Sequence, residues 1–177
     1  MRIGIIADTH DNILMIKRAV EVFNDEKVDL IMHAGDHIAP FTCIIWEQAN
    51  CEILAIYGNN DGDHAFLKKK FRKIGRIYER PREFILDGKR ILMLHEPDNL
   101  RDYAMSGKFD LIIFGHTHRR QIYHEGDTLV VNPGEACGWI TGLCTAMIIN
   151  LDSMKVEEFI LGESPIGPIM PAIPEGS

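Results

Sequence analysis

Side chains with nitrogen or oxygen donor atoms follow apolar runs at five places in this chain. The clearest run is "LIIFGHTH" at 111–118, where four apolar residues lead through Gly115 into two histidines separated only by Thr117. An apolar run that ends in glycine is typical of a buried strand leaving a sheet. The full set of candidate donors is Asp8, His10, Asp36, Asn59, His95, His116 and His118.

This donor set is typical of a divalent transition metal. It contains carboxylate, amide and imidazole groups but no thiolate, which suits Mn, Fe, Zn, Co or Ni better than a cysteine-rich structural zinc site or an all-oxygen calcium site. Seven donors are too many for one tetrahedral ion, whereas two ions that share a carboxylate would use them and keep positions for water and substrate. Each residue alone is more often a turn, a cap or a structural group, so the hypothesis depends on the whole set.

The first half of the chain alternates between strand and helix patterns. Because the carboxyl ends of parallel strands meet at one sheet edge, where open α/β sheets bind ligands, we expect the donor-bearing loops to lie close together. The predicted strands are 2–7, 28–34 and 52–57, and the predicted helices begin at Asp11 or Asn12, cover 41–49 after Pro40, and run from Asp63 to about Ile74.

The second half has mostly antiparallel patterns. Hairpins are predicted at Asp87-Gly88 and through Gly126, with a short helix around 98–106 and a closing pair of strands. The mixture predicts an α/β protein in which sheets pack together and are flanked by helices. We expect one domain at 1–161, followed by a proline-rich tail at 162–177.

Composition excludes several classes of protein. The 177 residues carry a net charge of −7, which argues against a general basic surface for nucleic acid or an anionic membrane, so no stable nucleic-acid complex and no membrane association are expected. The apolar N-terminal stretch is too short for a signal peptide, and the four cysteines lack CxxC spacing, which predicts reduced structural thiols and a cytoplasmic location. Trp139 and Ile140 have two interpretations, a homo-oligomer interface or a loop anchor.

The motifs "DTH" (8–10), "GD" (35–36), "GNND" (58–61), His95 and "GHTH" (115–118), in this order, resemble the calcineurin-like metallophosphoesterase superfamily. The length of the chain and "NPG" at 132–134 resemble its small bacterial and archaeal phosphodiesterase branch. The resemblance implies a four-layer α/β/β/α sandwich of two mixed sheets, with a binuclear metal centre along one edge.

The resemblance also implies a role for each donor. One ion, with Mn preferred, would be held by Asp8, His10, Asp36 and His118. The second would be held by Asp36, Asn59, His95 and His116, which are also the expected catalytic residues, and Asp36 would bridge the two ions. A water between two divalent ions loses a proton near neutral pH and can attack phosphorus in line, so the implied activity is phosphodiester hydrolysis on a small phosphate-ester substrate.

Four positions depart from the pattern of the family. Many relatives have a general-acid histidine and its acidic partner where this chain has Asn60 and Ala39. Because a positioned general acid contributes about a hundredfold to ten-thousandfold, we expect a preference for diesters with good leaving groups. Glu96, which replaces a common glycine, either faces solvent or narrows the site, and Glu135 replaces a small hydroxyl residue.

Two other functions stay open at this point: a phosphomonoesterase acting on nucleotides or sugar phosphates, and a non-catalytic scaffold like the retromer subunit that shares the fold. Retention of the whole donor set favours an enzyme. His37 is expected at the surface. The residues expected to orient ligands or to contact substrate are Asn60, Asp61, Glu96, Thr117 and Arg119.

Overall fold

Two β-sheets form the centre of the protein in the computed structural model, which describes residues 1–164 and 167–168. The strands are β1 (Arg2–Ile6), β2 (Leu30–His33), β3 (Glu52–Ile56), β4 (Gly75–Tyr78), β5 (Arg82–Leu86), β6 (Lys89–Met93), β7 (Leu111–Ile113), β8 (Arg120–Glu125), β9 (Thr128–Pro133), β10 (Leu143–Asn150) and β11 (Lys155–Glu163). The six-stranded sheet has the order β11-β10-β1-β2-β3-β4, and the five-stranded sheet has the order β5-β6-β7-β9-β8. Both sheets are mixed.

The helices are α1 (Ile13–Asp25), α2 (Cys43–Trp46), α3 (His64–Phe71) and α4 (Leu100–Met105), with a 3-10 turn at Pro40–Thr42 before α2. Side-chain caps fix two of the helix starts. The Asn12 side chain accepts a hydrogen bond from the Met15 N–H, and Asp63 accepts one from the Phe66 N–H. Among the described residues, no helix has the length and apolar character needed to cross a membrane.

Three apolar clusters define four layers. Phe23 of α1, Trp46 of α2 and Phe71 of α3 pack against one face of the six-stranded sheet. Residues such as Ile5 and Ile113 fill the space between the two sheets, and a smaller cluster around Ala104 packs α4 against the outer face of the five-stranded sheet. The resulting α/β/β/α sandwich confirms the predicted fold class.

Parallel pairing brings the donor-bearing loops to one edge. Strands β1, β2 and β3 are parallel neighbours in register, and β6 and β7 are parallel neighbours in the other sheet. Each of these five strands ends just before one of the polar motifs, so the loops meet where the two sheets face each other.

The structure differs from the sequence-based expectations in a few elements. The helix predicted over 41–49 is shortened to a 3-10 turn and the single turn of α2, and the helix from Asp63 ends at Phe71 rather than at about Ile74. Strand β4 was not predicted, because its four residues are too short for a clear alternating pattern. Strand β11 continues through Glu163, two residues into the predicted tail. Of the rest of that tail, 165–166 and 169–177 lie outside the described residues.

Candidate metal centre

Asp36 lies at the centre of the donor set. Its Oδ2 atom is 3.3 Å from Nε2 of His10 and 3.4 Å from Nε2 of His95, so one carboxylate contacts a histidine from each of the two expected ligand groups. The Asp36 side chain is 1% exposed. Main-chain N–H groups of Thr9 and His10 both donate to the Asp36 carbonyl at 3.1 Å, which ties the loops after β1 and β2 together.

The second expected ligand group converges on Asn59. Its Oδ1 atom lies 2.9 Å from Nε2 of His95 and 2.9 Å from Nδ1 of His116. The other nitrogen of His95, Nδ1, lies 2.7 Å from the Ala34 carbonyl oxygen, which can only accept, so Nδ1 carries a proton. Nε2 of His95 therefore faces acceptor oxygens of Asn59 and Asp36. Without a cation, Nε2 of His95 carries a proton toward Asp36, and a divalent cation in place of that proton would be bound by the same nitrogen and oxygen atoms.

The first expected ligand group surrounds Asp8. The Asp8 carboxylate is fully buried, and its Oδ1 lies 3.8 Å from Nε2 of His118 and 4.0 Å from Nε2 of His10. The buried Nε2 atom of His10 makes no hydrogen bond within the described part of the chain. A buried polar atom without a partner is unfavourable unless a ligand completes it, and this observation shows that the residues present fit a metal ion.

The backbone is strained at this edge of the fold. Positive φ angles, which side-chain-bearing residues seldom adopt, occur at Asp8 (52°), His10 (37°), Asp36 (60°), His116 (65°) and His118 (59°). Conformations of this kind cost of order 1–3 kcal/mol each and cluster at functional sites. In these backbone conformations the donor side chains of each loop are directed toward the cluster around Asp36.

Gly58 is required by close packing. A Cβ atom at this position would lie 2.1 Å from Oδ1 of Asp36, so any side chain would displace the central carboxylate. The Gly58 N–H donates to the Asp61 carboxylate at 2.7 Å. Asp61 also accepts from the main-chain N–H groups of Asp36 and Ile38, at 3.1 and 2.7 Å, and so holds the β2 and β3 loops against each other.

The pKa values of the two buried aspartates, Asp8 and Asp36, are shifted in opposite directions. Burial raises the pKa of Asp8 to about 7, although His118 and His95 partly oppose this effect. Burial also opposes ionisation of Asp36, but hydrogen bonds from His95 and Asn60 outweigh it and hold the pKa of Asp36 well below its usual range. Burial lowers the pKa of His10 and of His116, which keeps those imidazoles neutral and able to ligate.

Glu135 supports His118 from behind. Its carboxylate is fully buried and accepts a 2.7 Å hydrogen bond from Nδ1 of His118, which leaves Nε2 directed toward Asp8. The hydroxyl of Thr141 donates at 2.7 Å and the N–H of Ile140 donates at 3.0 Å to the same carboxylate. Burial opposes its ionisation, but the hydrogen bonds from His118 and Thr141 lower the pKa of Glu135 to about 2. A carboxylate behind a metal-binding histidine fixes the ring and increases its basicity.

The role of Glu135 could not be predicted from the sequence because a glutamate in a loop is usually exposed, and only the fold shows that this loop is buried. Cys137, which was assigned to the structural thiols, has a free thiol that donates to Glu135 at 3.1 Å. Its sulfur lies within 4.8 Å of donor atoms of His10 and His118. His37 is buried and packs against His33, with ring centroids 3.7 Å apart and ring planes tilted by 31°, so its expected surface position was wrong.

The expected orienting and substrate residues take different places. The Asn60 side-chain amide donates to Oδ2 of Asp36 at 2.8 Å, and its main-chain N–H donates to Oδ1 at 2.9 Å. The Thr117 hydroxyl accepts from the Asn132 side chain at 3.0 Å. Arg119 is exposed and, with His118, lines a cavity of about 510 Å³.

Glu96 forms a two-point ion pair with Arg80, at 2.6 and 2.7 Å. The same guanidinium donates from Nη1 to the carbonyls of Tyr57 and Gly58, at 3.2 and 2.9 Å, just before Asn59 in the chain. Arg80 therefore connects the loop after β3 with the loop after β6. The sequence carries no signal for this contact, because the two residues are sixteen positions apart and lie in different loops.

Two mixed sheets with helices outside, and a cluster of carboxylate, amide and imidazole groups at the sheet edge, define a metal-dependent phosphoester hydrolase. The chain belongs to the calcineurin-like phosphoesterase superfamily, since the model of that domain matches residues 1–154. A domain of this family identifies the protein as a hydrolase of phosphate esters.

Relatives in archaea support this assignment. A phosphodiesterase of Methanocaldococcus jannaschii is 37% identical over 165 residues, which is 91% of this chain and 99% of that protein. A probable metallophosphoesterase of Methanothermobacter thermautotrophicus is 29% identical over 171 residues, covering 91% of this chain and 92% of that protein. A solved structure described as a novel archaeal phosphodiesterase superposes with a TM-score of 0.86 at 36% identity, covering 90% of this chain and 99% of that one.

Proposed function

We propose that this protein is a phosphodiesterase that uses two divalent metal ions and hydroxide as the nucleophile. The position of Asp36 is the observation that carries the proposal. Its Oδ2 atom lies between His10 and His95, at 3.3 and 3.4 Å, so one carboxylate is placed to serve both groups of donors. The phosphodiesterase from Methanocaldococcus jannaschii supports the choice of a diester substrate.

The residues divide into two ligand sets in this proposal. The first set is Asp8, His10, Asp36 and His118, and the second is Asp36, Asn59, His95 and His116. Mn²⁺ is the preferred ion, and Fe, Zn, Co and Ni also suit these nitrogen and oxygen donors. When bound, two such ions supply Lewis acidity and lower the pKa of a shared water, so that hydroxide is available near neutral pH.

Other groups of the protein hold the proposed metal ligands in position before an ion binds. Glu135 holds His118, Asp61 holds the N–H groups around Asp36, and the Ala34 carbonyl holds His95, so the imidazoles do not need to reorient when they bind ligands. Two divalent ions, two carboxylates and one hydroxide leave one positive charge. That charge complements the single negative charge of a phosphodiester, although the protein has a net charge of −7.

The leaving group receives no proton from position 60. The Asn60 amide is a donor to Asp36 and cannot act as a titratable acid near neutral pH. Esters whose leaving groups are stable as anions, such as aryl diesters, are therefore the favoured substrates. Alkyl phosphomonoesters should react slowly, because they combine a poor leaving group with a second negative charge.

The test is hydrolysis of bis(p-nitrophenyl) phosphate by the metal-free protein before and after addition of Mn²⁺. We expect activity only with the metal, and its loss in Asp36→Asn and His10→Ala. The matched control is His124→Ala, since His124 is an exposed residue of β8 away from the site and its loss should not change the rate. Activity that persists in Asp36→Asn, or that needs no metal, would contradict the proposal.

Comparing the aryl diester with p-nitrophenyl phosphate separates the two enzyme functions. A higher kcat/KM for the diester is expected, whereas a higher value for the monoester would indicate a phosphomonoesterase. Absence of turnover with every metal, in a protein that still binds two ions, would indicate the scaffold function. The cytoplasmic location stays a prediction that rests on the reduced cysteines.

A further inference from the structure

A cavity of about 540 Å³ lies beside edge strand β4, and no expected metal ligand lines it. Four cationic side chains line its wall: Lys68 from α3, Arg72 just after α3, Arg76 from β4 and Arg82 from β5. We call these four residues and the space between them the cationic groove. Among the described residues, the single carboxylate on the wall is that of Glu79.

The cations of the groove are not neutralised by the protein. All four are exposed, and within residues 1–164 none of them forms an ion pair. The Arg82 guanidinium instead lies over the ring of Tyr78, 4.4 Å from its centroid. Nearby cations outside the groove do have partners, as Arg80 has Glu96. A concentration of positive charge on a protein of net charge −7 is unfavourable by itself and favours binding of an anion.

The groove adjoins the candidate metal centre. Tyr57 lines the groove, and the chain continues from it through Gly58 to Asn59. Pro81 lines the groove and also a second cavity of about 290 Å³, which contains His95 and Glu96. Glu96 and Asp98 also line this second cavity, and Glu96 is paired with Arg80. A substrate whose diester lies at the metal centre could therefore extend past Arg80 and Pro81 into the groove.

We propose that the cationic groove binds a second phosphate group of the substrate, so that the preferred substrate is a phosphodiester carrying one further phosphate. This inference rests on the proposed function, because it assigns the rest of the substrate to a surface beside that site. Arginine guanidinium groups pair with phosphate oxygens through two parallel hydrogen bonds, and the three arginines of the groove offer such contacts. A nucleic-acid strand would need a longer basic surface than four side chains.

The experiment compares two chromogenic substrates with the same leaving group. One is the p-nitrophenyl phosphodiester of thymidine, and the other is the same compound with a phosphate on its remaining sugar hydroxyl. In the Mn²⁺-loaded protein we expect the extra phosphate to lower KM by about tenfold, the size typical of one or two exposed charge-assisted contacts. In the Arg72→Gln/Arg76→Gln variant the ratio of the two KM values should fall to about one.

The matched control is Lys69→Gln/Lys70→Gln. This variant also removes two positive charges, but from residues of α3 that do not line the groove. This variant should keep the tenfold ratio. If it loses the ratio equally, the effect is one of overall charge and the proposal fails. Equal KM values for both substrates in the unmodified protein would also overturn it, while leaving the proposed function in place.

A binding measurement separates the groove from catalysis. Thymidine bisphosphate, which contains no diester, is titrated calorimetrically into the protein without added metal. We expect binding that weakens about tenfold in Arg72→Gln/Arg76→Gln and not in the lysine control. If neither chromogenic substrate were cleaved but this difference were observed, the proposed function would fail and the groove would stand as a phosphate site. Identical binding by the parent protein, the arginine variant and the lysine control would refute the proposal that the groove binds phosphate.

Discussion

Replacing Asp8 by asparagine should make the metal-free protein more stable at high pH. Asp8 is fully buried, and in the absence of a metal ion burial raises its pKa to about 7, from 3.8. A carboxyl whose folded pKa is raised binds more protons in the folded state than in the unfolded state at pH values between the two. The contribution of Asp8 to the free energy of unfolding therefore falls as pH rises through that window.

The magnitude follows from the difference between the two pKa values. Each pKa unit corresponds to about 1.4 kcal/mol, so ionisation of Asp8 lowers the stability of the metal-free protein by about 4 kcal/mol above pH 7. No reduction for solvent screening applies, because the side chain is 0% exposed. The asparagine side chain carries no charge at any pH, so Asp8→Asn should match the parent protein near about pH 4 and exceed it by up to about 4 kcal/mol near about pH 8.

The assay is urea denaturation of both proteins in excess chelator, at pH values from about 4 to about 8. Adding Mn²⁺ at high pH should remove the advantage of the variant, since the parent protein gains about 4 kcal/mol at a thousandfold excess over Kd and the variant lacks one donor. A difference in stability between the two proteins that does not change with pH in chelator would refute this reasoning. So would an Asp8→Asn variant that is less stable than the parent at about pH 8 without metal.

Three further predictions concern the surroundings of the site. Glu135→Gln should weaken Mn²⁺ binding by about tenfold to a hundredfold, measured by competition with a chelating dye, because His118 loses a charged partner. Gly58→Ala should weaken Mn²⁺ binding by at least about tenfold, since its Cβ would meet the Asp36 carboxylate, whereas Gly62→Ala, with no atom within 4 Å, should bind normally. Asn60→His should increase turnover of alkyl diesters by about a hundredfold or more relative to aryl diesters, and no gain would show that the missing acid is not limiting.

Much of the architecture could be predicted from the sequence. Apolar periodicity located most of the helices and strands, and strands that end in polar motifs showed that the donors share an edge. Strand β4 was missed because its pairing with β3, rather than its own four residues, makes it a strand. The helix predicted over 41–49 was too long. The chain after Pro40 has apolar residues at helical spacing, but helix α2 ends at Trp46.

The supporting contacts of the site could not be predicted in the same way. The pairing of Arg80 with Glu96 and the burial of Glu135 join residues from separate loops, and no local pattern marks them. The packing of His37 against His33 likewise depends on how the loop after β2 folds back. Residue types and spacing therefore indicate the chemistry of a site, whereas its second layer of contacts becomes visible only in three dimensions.

The most direct test of the central claim is titration of the metal-free protein with Mn²⁺, followed by electron paramagnetic resonance. Asp36 placed between His10 and His95 predicts saturation at two ions per chain and the spectrum of a magnetically coupled pair, with the coupling lost in Asp36→Asn. Saturation at one ion, or two ions with uncoupled spectra, would contradict a centre bridged by Asp36.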